Sequence, residues 1–209
     1  MLVIIFALIF SILLLVRTNA VESISAESTY LPNNQIFVTV NNDTGFIVSA
    51  DIEITYKDSG RKYRKTYYAD KIEKGTSYAA FPYSGKKKPK KLKTSVVVKQ
   101  TKKNDNLNPL ADTTVTVIDN KEPNHEGLCR QMWLRIDEID NKTIETPATL
   151  LFYSDDKLVG AKSIFVHITP DEGTSMYLST APFVYADRDK IGELEDKYPI
   201  DRVELAQGY

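Results

Sequence analysis

Residues on which disulfide frameworks and catalytic sites depend are scarce in this sequence. Among 209 residues there are one cysteine, Cys129, and two histidines, His125 and His167. A single cysteine cannot form a disulfide within the chain, so packing must stabilise the fold, and we interpret Cys129 as a small buried side chain. His167 falls in a predicted strand, where we interpret it as a half-buried strand residue.

Sequence patterns that assemble catalytic or metal-binding groups are also missing. The chain has no His-x-x-x-His, Cys-x-x-Cys or Gly-x-Ser-x-Gly pattern, and no glycine-rich loop that would hold a phosphate. The acidic residues between 187 and 196 lack the glycine-bearing loop of alternating oxygen ligands that calcium binds, so we interpret them as charges near a helix terminus. We therefore expect no enzyme, no metal site and no cofactor.

The first twenty residues have the composition of an export signal. Residues 2–16 are an apolar run broken only by Ser11, which is short for a membrane span and typical of a signal-peptide core. Thr18 and Ala20 are the small residues expected before a cleavage site. Because no basic residue precedes the run and Arg17 lies close to that site, an uncleaved membrane anchor at residues 1–20 is the alternative. Either reading predicts a secreted, periplasmic, cell-surface or envelope protein.

Beyond this segment, the sequence alternates between apolar and polar residues at strand length. Ile52, Ile54 and Tyr56 share one face of such a segment, and the following Lys57-Asp58-Ser59-Gly60 predicts a hairpin turn. Strands are predicted at residues 36–40, 51–56, 62–69, 77–81, 94–102, 113–118, 163–169 and 202–205. One short amphipathic helix is predicted within residues 186–198. This pattern is typical of β-sandwiches.

The sequence also resembles itself at a long period. Matching segments follow one another in the same order at offsets from 97 to 100: residues 36–39 with 133–136, 54–58 with 151–155, 73–77 with 171–175, and 82–83 with 182–183. We therefore predict an all-β chain of two tandem immunoglobulin-like antiparallel β-sandwich domains, with one short helix in the second. The domains are residues 28–119 and 129–209, and a polar linker at 120–128 joins them.

Charge is distributed unevenly between the two predicted domains. Residues 21–105 contain 16 basic and 9 acidic side chains, whereas residues 106–209 contain 10 basic and 19 acidic ones. Opposite charges steer association. We therefore predict that the basic and acidic halves attract each other, within one molecule or head to tail between molecules.

The strongest electrostatic feature is a lysine run that begins at residue 86. Such a run attracts phosphates, anionic lipid headgroups or acidic glycans, and the attraction falls with salt. The candidate residues for binding an anionic surface are Lys86, Lys87, Lys88, Lys90, Lys91 and Lys93. A solvated loop that only maintains solubility is the alternative. Two sequons add candidate glycosylation sites at Asn42 and Asn141, provided that the host is eukaryotic.

Together these patterns predict a non-enzymatic binding or structural protein of a cell surface or envelope, such as an adhesion component. We expect it to contact another protein or its own copies, with an anionic surface as a further candidate. Nucleic acid is not an expected partner, and membrane contact is expected only through the N-terminal segment. The layout of an export signal and two sandwiches also resembles the periplasmic chaperones of pilus subunits, which would imply pilus subunits as the partner.

Overall fold

The computed structural model describes residues 24–85, 87–103, 109–119, 130–169 and 174–209. The described chain is mostly β-structure with one short α-helix, which confirms the prediction of an all-β protein. The export segment at residues 1–20 and the linker at 120–128 lie outside the described residues. Within the described part, no helix has both the length and the apolar character needed to cross a membrane.

Twelve strands and one α-helix make up the described part of the chain. In chain order they are β1 (Ile24–Leu31), β2 (Gln35–Asn42), β3 (Phe46–Asp58), β4 (Arg61–Ile72), β5 (Gly75–Pro82), β6 (Lys90–Lys103), β7 (Thr113–Asp119), β8 (Met132–Glu138), β9 (Ile144–Ser154), β10 (Lys157–Ile168), β11 (Ser175–Thr180), α1 (Ile191–Lys197) and β12 (Arg202–Gln207). A 3-10 turn at Arg188–Lys190 leads into α1.

The strands form four antiparallel sheets of three strands each. The first six strands form the sheets β1-β2-β5 and β4-β3-β6, and the last six form β7-β8-β11 and β10-β9-β12. The second set therefore repeats the strand order of the first, element by element. In both sets the chain changes sheet after its second strand, returns for its fifth and changes again for its sixth.

One boundary predicted from the sequence is corrected by this topology. Residues 113–119 were expected to close the first domain, but β7 pairs with β8 in the second set of strands. Val115 lies opposite the fully buried Ile136 and packs against the core of that set. The change of set therefore falls between β6 and β7, not at residues 120–128.

The register of the repeat also differs by one residue from the sequence match. Ile36, Val38 and Val40 of β2 face the first core, whereas Met132, Leu134 and Ile136 of β8 face the second. Side chains alternate between the two faces of a strand, so a slip of one residue exchanges the faces. Because the sequence match paired residue 36 with 133, it joined an inward residue to an outward one. The structure instead aligns Phe37 with Trp133.

The two sets of strands meet where the sheets β1-β2-β5 and β10-β9-β12 pack face to face, each through the face that points away from its own core. Leu31 and Phe37 pack against Leu151 and Ala161 in a buried apolar cluster. Phe37 also stacks on Tyr78, with ring centroids 5.5 Å apart. The sheets therefore follow one another as layers in the order β4-β3-β6, β1-β2-β5, β10-β9-β12 and β11-β8-β7, with the two outermost faces uncovered by any described sheet.

Buried hydrogen bonds also cross this junction, and because they are directional they restrict the relative position of the two sheets more than apolar packing would. Gln35 Oε1 accepts hydrogen bonds from the Ala161 backbone N–H, at 3.2 Å, and from the Asn33 amide. Asn33 Nδ2 also donates to the carbonyl of Pro182 at 2.9 Å. Because Asn33 and Gln35 are almost fully buried, these bonds form where water cannot replace them.

The last residue of β12 and the two residues after it also return to the first six strands. Gln207 Nε2 donates to the buried Glu73 carboxylate at 3.0 Å, and Gly208 forms a parallel bridge with Tyr78. Tyr209 then packs against the first hydrophobic core. This segment therefore contributes to the packing of strands that precede it by more than a hundred residues.

Candidate anionic-surface site

The outer face of the sheet β4-β3-β6 concentrates basic side chains at one end. Two adjacent cross-strand rows place Lys62, Lys57 and Lys90 side by side, followed by Arg64, Thr55 and Lys93. All five cations are exposed. We call these five residues, Lys57, Lys62, Arg64, Lys90 and Lys93, the basic face.

The register of β3 explains why these side chains share a face. Ile52, Ile54 and Tyr56 point into the core, as their alternation predicts, so Thr55 and Lys57 must point outward. Residues directly opposite each other in neighbouring strands point to the same side of a sheet. The outward positions of β3 therefore determine which residues of β4 and β6 join them.

Carboxylates are absent from these two rows and begin only in the next ones. Glu53 follows in β3 and lies 4.0 Å from Arg64, while Asp51 pairs with Lys99 at 2.7 Å. Within the described residues, none of Lys57, Lys62, Lys90 and Lys93 forms an ion pair. The end of this face is therefore a positive surface that is open to an external anion.

The structure divides the lysine run that the sequence singled out. Lys90 and Lys93 belong to the basic face, and Lys91 lies between them at a positive φ of 53° where the pairing with β3 is irregular. Lys87 and Lys88 are exposed in the segment before β6. Lys86 lies outside the described residues.

Sequence reasoning missed Lys57, Lys62 and Arg64. The hairpin signal at residues 57–60 already implies that Lys57 lies opposite Lys62, so this pair could have been found. The position of β6 beside β3 could not have been found from the sequence, because this pairing joins residues more than thirty positions apart and depends on a bulge near Lys91.

The two sequons occupy very different places. Asn42 is fully buried, and its Nδ2 donates to the carbonyls of Phe46, Ile72 and Glu73, whereas its Oδ1 accepts from Thr44. A glycan on Nδ2 would have no room in the folded chain, so this candidate site is corrected to a structural residue. Asn141 is exposed and remains a candidate.

Other titratable groups do not gather into a site. Among the described residues no group of three or more His, Cys, Asp or Glu side chains is arranged to hold a metal ion. His167 is about half exposed, with its Nδ1 3.1 Å from Glu145. In the acidic segment, Asp187 pairs with Lys190 and Glu195 with Arg130. His125 and Cys129 lie outside the described residues.

A cavity of about 200 Å³ opens beside α1 in the second set of strands. Met132, Phe183 and Ile200 supply its apolar lining, and Arg130 and Glu195 supply the polar lining. These two charged groups already bind each other, since Glu195 also accepts the Arg130 backbone N–H at 2.6 Å. The cavity therefore presents no unpaired charge that would select a ligand.

No protein-family model, curated protein or solved structure matches this chain.

Proposed function

We propose that this chain is an exported, non-enzymatic binding protein of a cell surface or envelope, and that its basic face binds anionic groups. The observation that carries the proposal is the pair of cross-strand rows that hold five cations and no carboxylate. Several cations on one face of a sheet attract a repeating anion, because several charges can act at once. The apolar run at residues 2–16 supports export.

Two tandem immunoglobulin-like sandwiches are part of the same proposal. In that fold, strands A, B and E share one sheet, while C and F belong to the other. We match β1, β2 and β5 to A, B and E, and β4, β3 and β6 to C′, C and F, because the sheet orders β1-β2-β5 and β4-β3-β6 agree with this assignment. The second six strands have the same correspondence. Many cell-surface domains share this architecture, and the proposed binding role agrees with that analogy of fold.

The test measures binding of residues 21–209 to two anionic probes, heparin and phosphatidylcholine vesicles that contain phosphatidylserine. Each basic residue near an anionic membrane contributes about 1 kcal/mol, so replacing Lys57, Lys62 and Arg64 by Gln should weaken vesicle binding about 100-fold. Binding of the unmodified chain should fall with salt. The two probes separate a lipid surface from an anionic polymer.

The matched control removes the same charge elsewhere, at Lys74, Lys190 and Lys197. It should leave binding almost unchanged, provided that the contact is local to the basic face. Equal losses for both triple variants would mean that only net charge matters. Failure of the unmodified chain to bind either probe at low salt would contradict the proposal.

A further inference from the structure

The outermost sheet at the other end of the layers presents aromatic side chains to solvent. In β8 and β11, Trp133 is 49% exposed and Tyr177 is 63% exposed. Both point outward, because their neighbours in the strands, Leu134 in β8 and Met176 and Leu178 in β11, pack on the core side. Arg135 lies directly opposite Tyr177 and between Trp133 and Asp137 along the strand. We call the outward side chains Trp133, Arg135, Asp137 and Tyr177 the aromatic face.

Trp133 and Tyr177 have counterparts in the first six strands, and those counterparts pack against a sheet of the second six strands. Phe37 and Thr39 lie opposite Ala80 and Tyr78 in the first set, just as Trp133 and Arg135 lie opposite Ser179 and Tyr177 in the second. Trp133 therefore corresponds to Phe37, and Tyr177 corresponds to Tyr78. The stacked pair of Phe37 and Tyr78 packs on the outer face of β10-β9-β12.

The polar groups of the aromatic face are held in place. Asp137 accepts hydrogen bonds from the Ser175 hydroxyl at 2.5 Å and from Arg135 Nε at 2.8 Å. The bond from Ser175, together with Arg135, lowers the pKa of Asp137, so its carboxylate stays ionised. Asp119 of β7 lies opposite Trp133.

The two open faces have complementary chemistry. The basic face presents cations, and two exposed apolar side chains, Tyr68 and Val97, share a row further along the same sheet. Arginine and lysine bind the faces of Trp and Tyr rings as well as carboxylates. Trp, Tyr and Arg are also the residues that dominate the energy of protein interfaces.

We propose that the aromatic face of one molecule binds the basic face of the next, so that the chain associates head to tail with its own copies. The contact would repeat between molecules the face-to-face sheet packing that joins the two halves within one molecule. It is heterologous, and a heterologous contact that does not close into a ring grows into an open chain. This inference rests on the proposed function, since it names the aromatic face of a second copy as a partner of the basic face.

The experiment uses two variants of residues 21–209, each with one face disabled. Arg64→Glu with Lys93→Glu disables the basic face, and Tyr177→Lys with Ser179→Lys disables the aromatic face. Interface hot spots contribute about 2 kcal/mol or more, so each variant should associate about 30-fold more weakly than the unmodified chain in sedimentation at low salt. Circular dichroism verifies that both variants fold.

Mixing the two variants provides the decisive result. Each retains the face that the other lacks, so an equimolar mixture should form dimers that cannot grow further. Trp133 is the only tryptophan in the sequence, and its emission should shift to shorter wavelength when the aromatic face is covered. The control variant Phe165→Lys, at an aromatic residue that is 56% exposed outside either face, should associate like the unmodified chain.

Several outcomes would overturn this inference. If the variant with Arg64→Glu and Lys93→Glu, which lacks the basic face, forms dimers alone, two aromatic faces bind each other. A monomer at every salt concentration would exclude self-association. If that monomer still binds heparin or anionic vesicles, the proposed function stands and only the partner is wrong, whereas loss of both activities overturns both. Heparin should dissociate the head-to-tail chains, because it competes for the same cations.

Discussion

Replacing Gly160 by Ala should destabilise the junction between the two halves. A Cβ atom at this position would lie 2.8 Å from Asn33 Nδ2 and 2.9 Å from the Pro182 carbonyl oxygen. Both distances are well inside van der Waals contact, and the Pro182 oxygen belongs to the backbone and cannot rotate away. Overpacking of this kind costs about 1–3 kcal/mol. For a chain of this length, each kcal/mol lowers the melting temperature by about 2–4 °C.

Gly192 provides a matched control for this substitution. It is an exposed residue of α1, and no atom lies within 4 Å of the position that its Cβ would occupy. Alanine favours the helix over glycine by about 1 kcal/mol, so Gly192→Ala should raise the melting temperature. The same chemical change should therefore have opposite signs at the two positions when both variants are followed by calorimetry or urea denaturation.

A double variant tests whether the contact with Asn33 is the cause. Asn33→Ala removes one of the two clashing groups. The double variant should therefore lose less stability than the sum of the losses of Asn33→Ala and Gly160→Ala. If Gly160→Ala melts at the temperature of the unmodified chain, the two halves do not approach as closely as described and the reasoning fails.

Three further predictions concern buried polar groups. Burial raises the pKa of Tyr83 and Tyr153 to about 12, so their stabilising contribution should be complete below pH ~10 and lost as pH rises towards 12. Tyr83→Phe or Tyr153→Phe should therefore raise the pH at which the protein unfolds in alkali. Asn42→Ala should lower the free energy of unfolding by about 2–4 kcal/mol in urea denaturation, because three carbonyls lose their donor. The buried hydroxyl of Tyr209 has no hydrogen-bond partner among the described residues, so Tyr209→Phe should leave the melting temperature unchanged or raise it.

Local alternation was sufficient to predict most strands but not their grouping. The inward positions of β3 and the hairpin after Asp58 follow from residues adjacent in sequence, and both are confirmed. The assignment of β7 depends on its pairing with β8, which no residue within 113–119 specifies. Alternation likewise could not fix the register of the repeat, because apolar side chains occur on both faces of β2 once Phe37 packs against the second half.

The candidate site was predictable only in part for the same reason. A lysine run is visible in the sequence, but a surface is formed by residues that a sheet brings together from three strands. Asn42 illustrates the opposite error. Its sequon matches a modification signal, yet its amide satisfies three carbonyls at the end of β2, and burial is not encoded in a three-residue pattern.

The return of the end of β12 and of the residues after it to the first six strands has a consequence for biosynthesis. Glu73 and Gln207 are separated by 134 residues, so the first six strands cannot complete their packing when they leave the ribosome. At about 5–20 residues per second, they would wait on the order of ten seconds for their last contacts. If the chain is exported as we propose, its first six strands would reach a translocation channel before the contacts from Gln207 and Gly208 could form.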